Sequence, residues 1–176
     1  AYNVAERYSQ AISTPEGQEH TVGDFLAFAE ELGPDRLAAE VLKNRQRTST
    51  KNGILKAEAS ILFAETLRDL GVDRLSDAGK IIHDDRFCRL IRAIPGQSIS
   101  VDYFLMRLGR EDLIKADRWV LKFLEDGLAG KRVDRDFAYW LLGQTTKQLK
   151  KQEQCRHLTP RLLDNAIWQY ESGRTA

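Results

Sequence analysis

Residues 93–124 read AIPGQSISVDYFLMRLGREDLIKADRWVLKFL. Pro95 and Gly96 end one helical pattern, because proline has no N–H to continue a helix and glycine enters the left-handed region cheaply. Val101, Tyr103, Phe104, Leu105 and Leu108 then form an apolar run that reads as a helix near 99–108. Gly109 opens a short link, and Asp117 stands at the head of a third apolar run with Val120 and Phe123 behind it. A carboxylate there is a good cap for a helix near 116–127, since its oxygens can take the unpaired N–H groups of the first turn. The stretch therefore predicts helices joined by short links.

Reading outward gives the same period. Thr21 can cap a helix with Asp24 in its first turn, and Phe25, Leu26, Phe28, Ala29 and Leu32 supply its apolar face. Gly33-Pro34 stops it, and Asp35 can cap a successor through Val41 and Leu42. The polar stretch NRQRTSTKNG (44–53) breaks the pattern, which resumes over 54–71 and ends at Gly71. Further helices are expected near 73–80, 84–93, 134–152 and 159–173, the last opened by Thr159-Pro160. No alternating run suggests a strand, and there is no internal repeat. The expectation is an all-α chain, one domain over 1–176 with about eight to ten helices.

The 176 residues are enough for a sizeable core, and 42% hydrophobic with 30% charged residues suits a globular protein. No apolar run reaches the ~20 residues that span a bilayer, and no signal-peptide pattern opens the stretch, so no membrane partner and a cytoplasmic location are expected. Cys88 and Cys155 lack metal-ligand spacing, and two cysteines cannot supply a four-cysteine iron–sulfur or zinc site. His20, His83 and His157 are isolated, and no metal or other cofactor is expected. The net charge is +1, but it is uneven. Residues 1–43 carry eight acids against three Lys/Arg; residues 131–161 carry eight Lys/Arg against three acids. The basic segment suits a polyanion.

Helix, tight Pro-Gly turn and helix form a hairpin unit, placed at about 84–108. Free N–H groups at such a turn can hold a phosphate and bind backbone rather than sequence. With its continuation to Phe123, the stretch resembles the helix-hairpin-helix superfamily of base-excision DNA glycosylases (endonuclease III-like), as a divergent member. Ile94-Pro95-Gly96 matches the hairpin start, Gly109 the link, and Asp117 the place of the family's catalytic aspartate. VLKNRQRTSTKNGILKA (41–57) looks like the polar loop and helix before the hairpin, and LLDNAIWQY (162–170) like the closing helix.

The resemblance implies a DNA partner and hydrolysis of an N-glycosidic bond. Asp117 would be the catalytic acid, while Pro95, Gly96, Gln97, Ser98 and Ser100 would meet DNA backbone. Asn44, Arg45 and Gln46 would enter the gap left by a flipped base, and Lys51 would lie against DNA. Tyr103, Trp119 and Trp140 are candidates to stack on the base. The chain departs from the family in two places. The second hairpin glycine is missing from Gly96-Gln97-Ser98. The position of the Schiff-base lysine falls on Ile99 or Ser100, neither of which can form one, so a monofunctional enzyme is expected. Two other readings stand beside this: a noncatalytic nucleic-acid-binding module, and an all-α scaffold with another partner.

Overall fold

The structure, a computed structural model, describes residues 2–12, 17–97 and 100–173. The chain is all-α. The helices are α1 (Tyr2–Ala11), α2 (Val22–Arg36), α3 (Lys56–Asp69), α4 (Asp85–Ala93), α5 (Ser100–Arg107), α6 (Arg118–Gly127), α7 (Arg135–Leu149) and α8 (Pro160–Gly173). A π-helical turn (Leu37–Val41) and two 3₁₀ turns (Leu75–Lys80 and Glu153–Cys155) complete the set, and there is no strand among the described residues. The chain divides into two compact units, Ala1–Val101 and Asp102–Ala176.

In the first unit the expected cap forms. The Thr21 hydroxyl accepts the Asp24 N–H at 3.1 Å, and the Asp24 carboxylate accepts the Thr21 N–H at 2.9 Å. Two orphan donors of α2 are thereby satisfied. Gly33 breaks the helix with φ 72°. Asp35 does not cap the π-helical turn after it; its carboxylate pairs with Arg45 at 3.3 Å. Small residues let backbones approach: Ala29, Ala38 and Ala57 are buried with Leu37 and Leu42, and α2 packs on α3. Tyr8 of α1 closes this core against Phe25 and Phe28, edge to face. α3 starts two residues later than its apolar pattern because Leu55 bridges back to Arg47 and the Lys56 N–H donates to the Gln46 carbonyl.

In the second unit α6, α7 and α8 pack around Ile114, Ala116, Val120, Leu124, Ala138, Leu142 and Ile167. Aspartates cap two of these helices, Asp117 on α6 and Asp134 on α7. The link between α5 and α6 is tied to the start of α8 at two points. Glu111 pairs with Arg161 and accepts the Thr159 hydroxyl at 2.7 Å. Four residues on, the Lys115 N–H donates to the Asp164 carboxylate at 2.9 Å. These ties fix the loop that delivers Asp117.

Candidate functional site

Asp117 has extended backbone (φ −89°, ψ −176°) and points its carboxylate into the first turn of α6. Its Oδ1 accepts the Trp119 N–H at 2.9 Å and the Val120 N–H at 3.4 Å. Its Oδ2 lies 3.4 Å from Lys115 Nζ, and the side chain stays 20% exposed. Asp117 lines a cavity of about 340 Å³, walled also by Tyr103, Lys115, Val120, Asp164, Asn165 and Trp168. That volume is at the lower end of small-molecule sites, roughly 300–1,000 Å³. Capping and cavity lining therefore coexist in one residue.

Lys115 is the cation of this cavity. Its ammonium stands 4.5 Å from the centre of the Tyr103 ring and beside the Asp117 carboxylate. Both contacts attract a cation, one through the ring's negative face and one through the opposite charge. Asp164 is the second acid, only 8% exposed. Burial pushes its carboxyl up to about 6; the Lys115 N–H pulls it down, the Asp117 charge raises it, and the Lys115 charge lowers it. The two carboxylates thus have different environments: one capped by N–H groups and paired with an ammonium, the other desolvated with an N–H donor on one oxygen.

Of the aromatic residues expected to stack on a base, Tyr103 lines the cavity. Trp119 and Trp140 do not: the Arg118 guanidinium lies over the Trp119 ring at 4.7 Å, and Trp140 is exposed and stacked on Phe137. Trp168 of α8 is the second aromatic of the cavity. Lys115, Asp164 and Trp168 escape a reading of the sequence by local pattern. Asp164 and Trp168 are one helical turn apart on α8, and their pairing with Lys115 and Asp117 spans some 49 residues. An acid inside the apolar stripe of LLDNAIWQY was the available signal.

The remaining candidates sit in the first unit. Ile94 through Gln97 form a β-turn, with Gln97 N–H on the Ile94 carbonyl at 3.0 Å and Gly96 at φ 77°. Pro95 second and Gly96 third is the arrangement of a type II turn. Ser100, at the head of α5, donates its N–H to the Gln97 carbonyl at 3.0 Å. The N–H groups of Gln97 and Ser100 are therefore engaged inside the turn. Ser98, like Ile99, lies outside the described residues. A Cβ on Gly96 would stand 2.6 Å from Thr48 Cβ, so this turn is packed on the 44–53 loop.

In that loop the Asn44 side chain accepts the Gln46 N–H at 3.0 Å, and the Gln46 side chain accepts Lys56 Nζ at 2.7 Å. Arg45 is held by Asp35, and Lys51 is exposed. Asn44 and Gln46 also line a second, larger cavity of about 470 Å³, with Val4, Tyr8, Phe25 and Leu42 as its apolar wall.

Among the described residues no group of three or more His, Cys, Asp or Glu is placed to hold a metal ion, and no helix is long and apolar enough to cross a membrane. Fold and cavity define an all-α protein with an acid-lined, aromatic-walled cleft in its second unit. Residues 1–172 match the family described as a domain of unknown function (DUF8548), and the chain belongs to that family. No curated protein and no solved structure matches it.

Proposed function

We propose that this chain is a DNA glycosylase of the helix-hairpin-helix type, monofunctional, hydrolysing the bond between a damaged base and its sugar. One observation carries the reading: Asp117 caps α6 and at the same time lines a cavity bounded by two aromatic residues. A cap with no cavity would be a structural acid only. In the cavity Asp117 orients or deprotonates a water and stabilises positive charge developing on the sugar of a flipped nucleotide. Tyr103 and Trp168 offer faces for the extruded base. Exposed Lys and Arg residues of 131–161 neutralise phosphates, and Asn44, Arg45, Gln46 and Lys51 are the first unit's own candidates to meet DNA. The reading makes the protein a cytoplasmic member of base-excision repair.

A second reading has specific support. Both oxygens of Asp117 already have partners, and the Gln97 and Ser100 N–H groups are spent inside the hairpin turn. Those features suit a module that binds DNA without chemistry. The two readings separate in one assay: binding to duplex DNA carrying an abasic-site analogue, followed between about 50 and 200 mM salt, with base release measured in parallel on damaged duplexes. Salt-sensitive binding with release supports the enzyme. Salt-sensitive binding without release supports the module. Binding without a salt slope contradicts both.

A further inference from the structure

The cavity holds a second acid that the resemblance does not account for. Asp164 is more than nine-tenths buried, projects from α8 into the space that Asp117 borders, and has Tyr103 and Trp168 as neighbours in the wall. The charged and titratable groups in that wall are Lys115, Asp117 and Tyr103. Arg161, one turn earlier on α8, is paired with Glu111. Asp164 accepts the Lys115 N–H on its Oδ1. Asp117, by contrast, meets two N–H groups and an ammonium. Two carboxyl groups in one cavity, held in unlike surroundings, are the arrangement by which one site supplies both an acid and a base.

We propose that Asp164 is a second catalytic residue, the acid that protonates the departing base while Asp117 serves the sugar and the water. The proposal rests on the glycosylase reading. Asp164 gives its proton to a ring nitrogen or exocyclic oxygen of the base as the C1′–N bond breaks and its electron pair leaves with the base. The Asp117 carboxylate takes a proton from water as the water oxygen bonds to C1′. Asp164 ends ionised and Asp117 protonated, and exchange with solvent restores both. Desolvation, which raises the Asp164 carboxyl to about 6, leaves about one molecule in ten in the acid form at pH 7.

The test uses leaving groups that differ in their need for a proton. N7-methylguanine carries a positive charge before it leaves; hypoxanthine is neutral and benefits from protonation. Single-turnover release of each is measured from about pH 5 to 8 for the native chain and Asp164→Asn. The amide keeps an oxygen to accept the Lys115 N–H, so the loop carrying Asp117 stays tied, and release of N7-methylguanine reports on that directly. The expected result is a loss of about 10²-fold or more for hypoxanthine, with N7-methylguanine release within about threefold of native. Native hypoxanthine release should also fall as pH rises past about 6, a slope that Asp164→Asn lacks. Equal loss on both bases, loss on neither, or a native rate without that slope overturns the role of Asp164. A native chain that releases neither base, but acts on another duplex of a wider damaged-base panel, overturns the role of Asp164; only a chain that releases no base from any duplex of that panel overturns the glycosylase reading itself.

Discussion

Asp117 caps α6 and carries a charge beside Lys115, and point mutations separate the cap from the charge. Asparagine is as good an N-cap as aspartate, whereas alanine forfeits the cap at a cost of about 1 kcal/mol. Asp117→Asn should therefore melt within a degree or two of native, and Asp117→Ala several degrees lower, by thermal denaturation. An Asp117→Asn protein that unfolds as readily as Asp117→Ala would mean that the charge and its Lys115 partner, not the cap, hold the turn. Asp164 makes a prediction about pH. Its folded pKa lies above the usual 3.8, so the folded chain binds its proton more tightly than the unfolded chain does. Ionising it costs stability: the cost is absent below about pH 4, grows between about 4 and 6, and is complete above about 6. Asp164→Asn removes that cost. Urea melts should show the variant more stable than native at pH 7, on the order of 1–2 kcal/mol, with no such gain at pH 4. A gain of the same size at both pH values would contradict burial as the cause.

At the scale of elements, the β-turn after α4 depends on one glycine. Gly96 needs φ 77°, and a side chain there meets Thr48. Gly96→Ala should cost about 1–2 kcal/mol for the left-handed backbone alone, and more for the clash. Adding Thr48→Gly should recover the part of the clash made with the Thr48 side chain and leave the strain of the left-handed backbone with the tight contact to the Thr48 carbonyl carbon at 3.0 Å, which denaturant melts of the single and double variants resolve. Full recovery, or none, would contradict this division. The boundaries of these elements were legible where the signal is local. Thr21 with Asp24, Asp117 and Thr159-Pro160 each mark a helix start within one turn of sequence, and Pro95-Gly96 marks the turn after α4. α1 was not legible, since its apolar face is short: Val4 and Tyr8 are its side chains that pack on the core, with only small alanines beside them. The 73–80 segment shows helical composition but forms a 3₁₀ turn over Leu75–Lys80, at whose start the Asp77 carboxylate takes the Asp73 and Arg74 N–H groups. The cavity was half legible. Asp117 and Tyr103 stand in the stretch that decides the fold, while Asp164 and Trp168 join them only through the packing of α8.

For the molecule as a whole, charge and chemistry are separable. Lys147, Lys150 and Lys151 lie near the end of α7, within the segment where Lys and Arg outnumber acids eight to three. Replacing the three by glutamate should weaken duplex binding across sequences and lower the slope of log affinity against log salt by about one for each phosphate no longer neutralised. An unchanged slope would remove this face from the DNA interface. The central claim is that Asp117 performs base release in its cavity. Its most direct measurement is single-turnover release from a panel of damaged duplexes by the native chain and by Asp117→Asn at equal, saturating protein. The account predicts release from at least one duplex by the native chain, and its loss in Asp117→Asn while binding persists. Native-like release by Asp117→Asn, or no release by the native chain from any duplex, would contradict it.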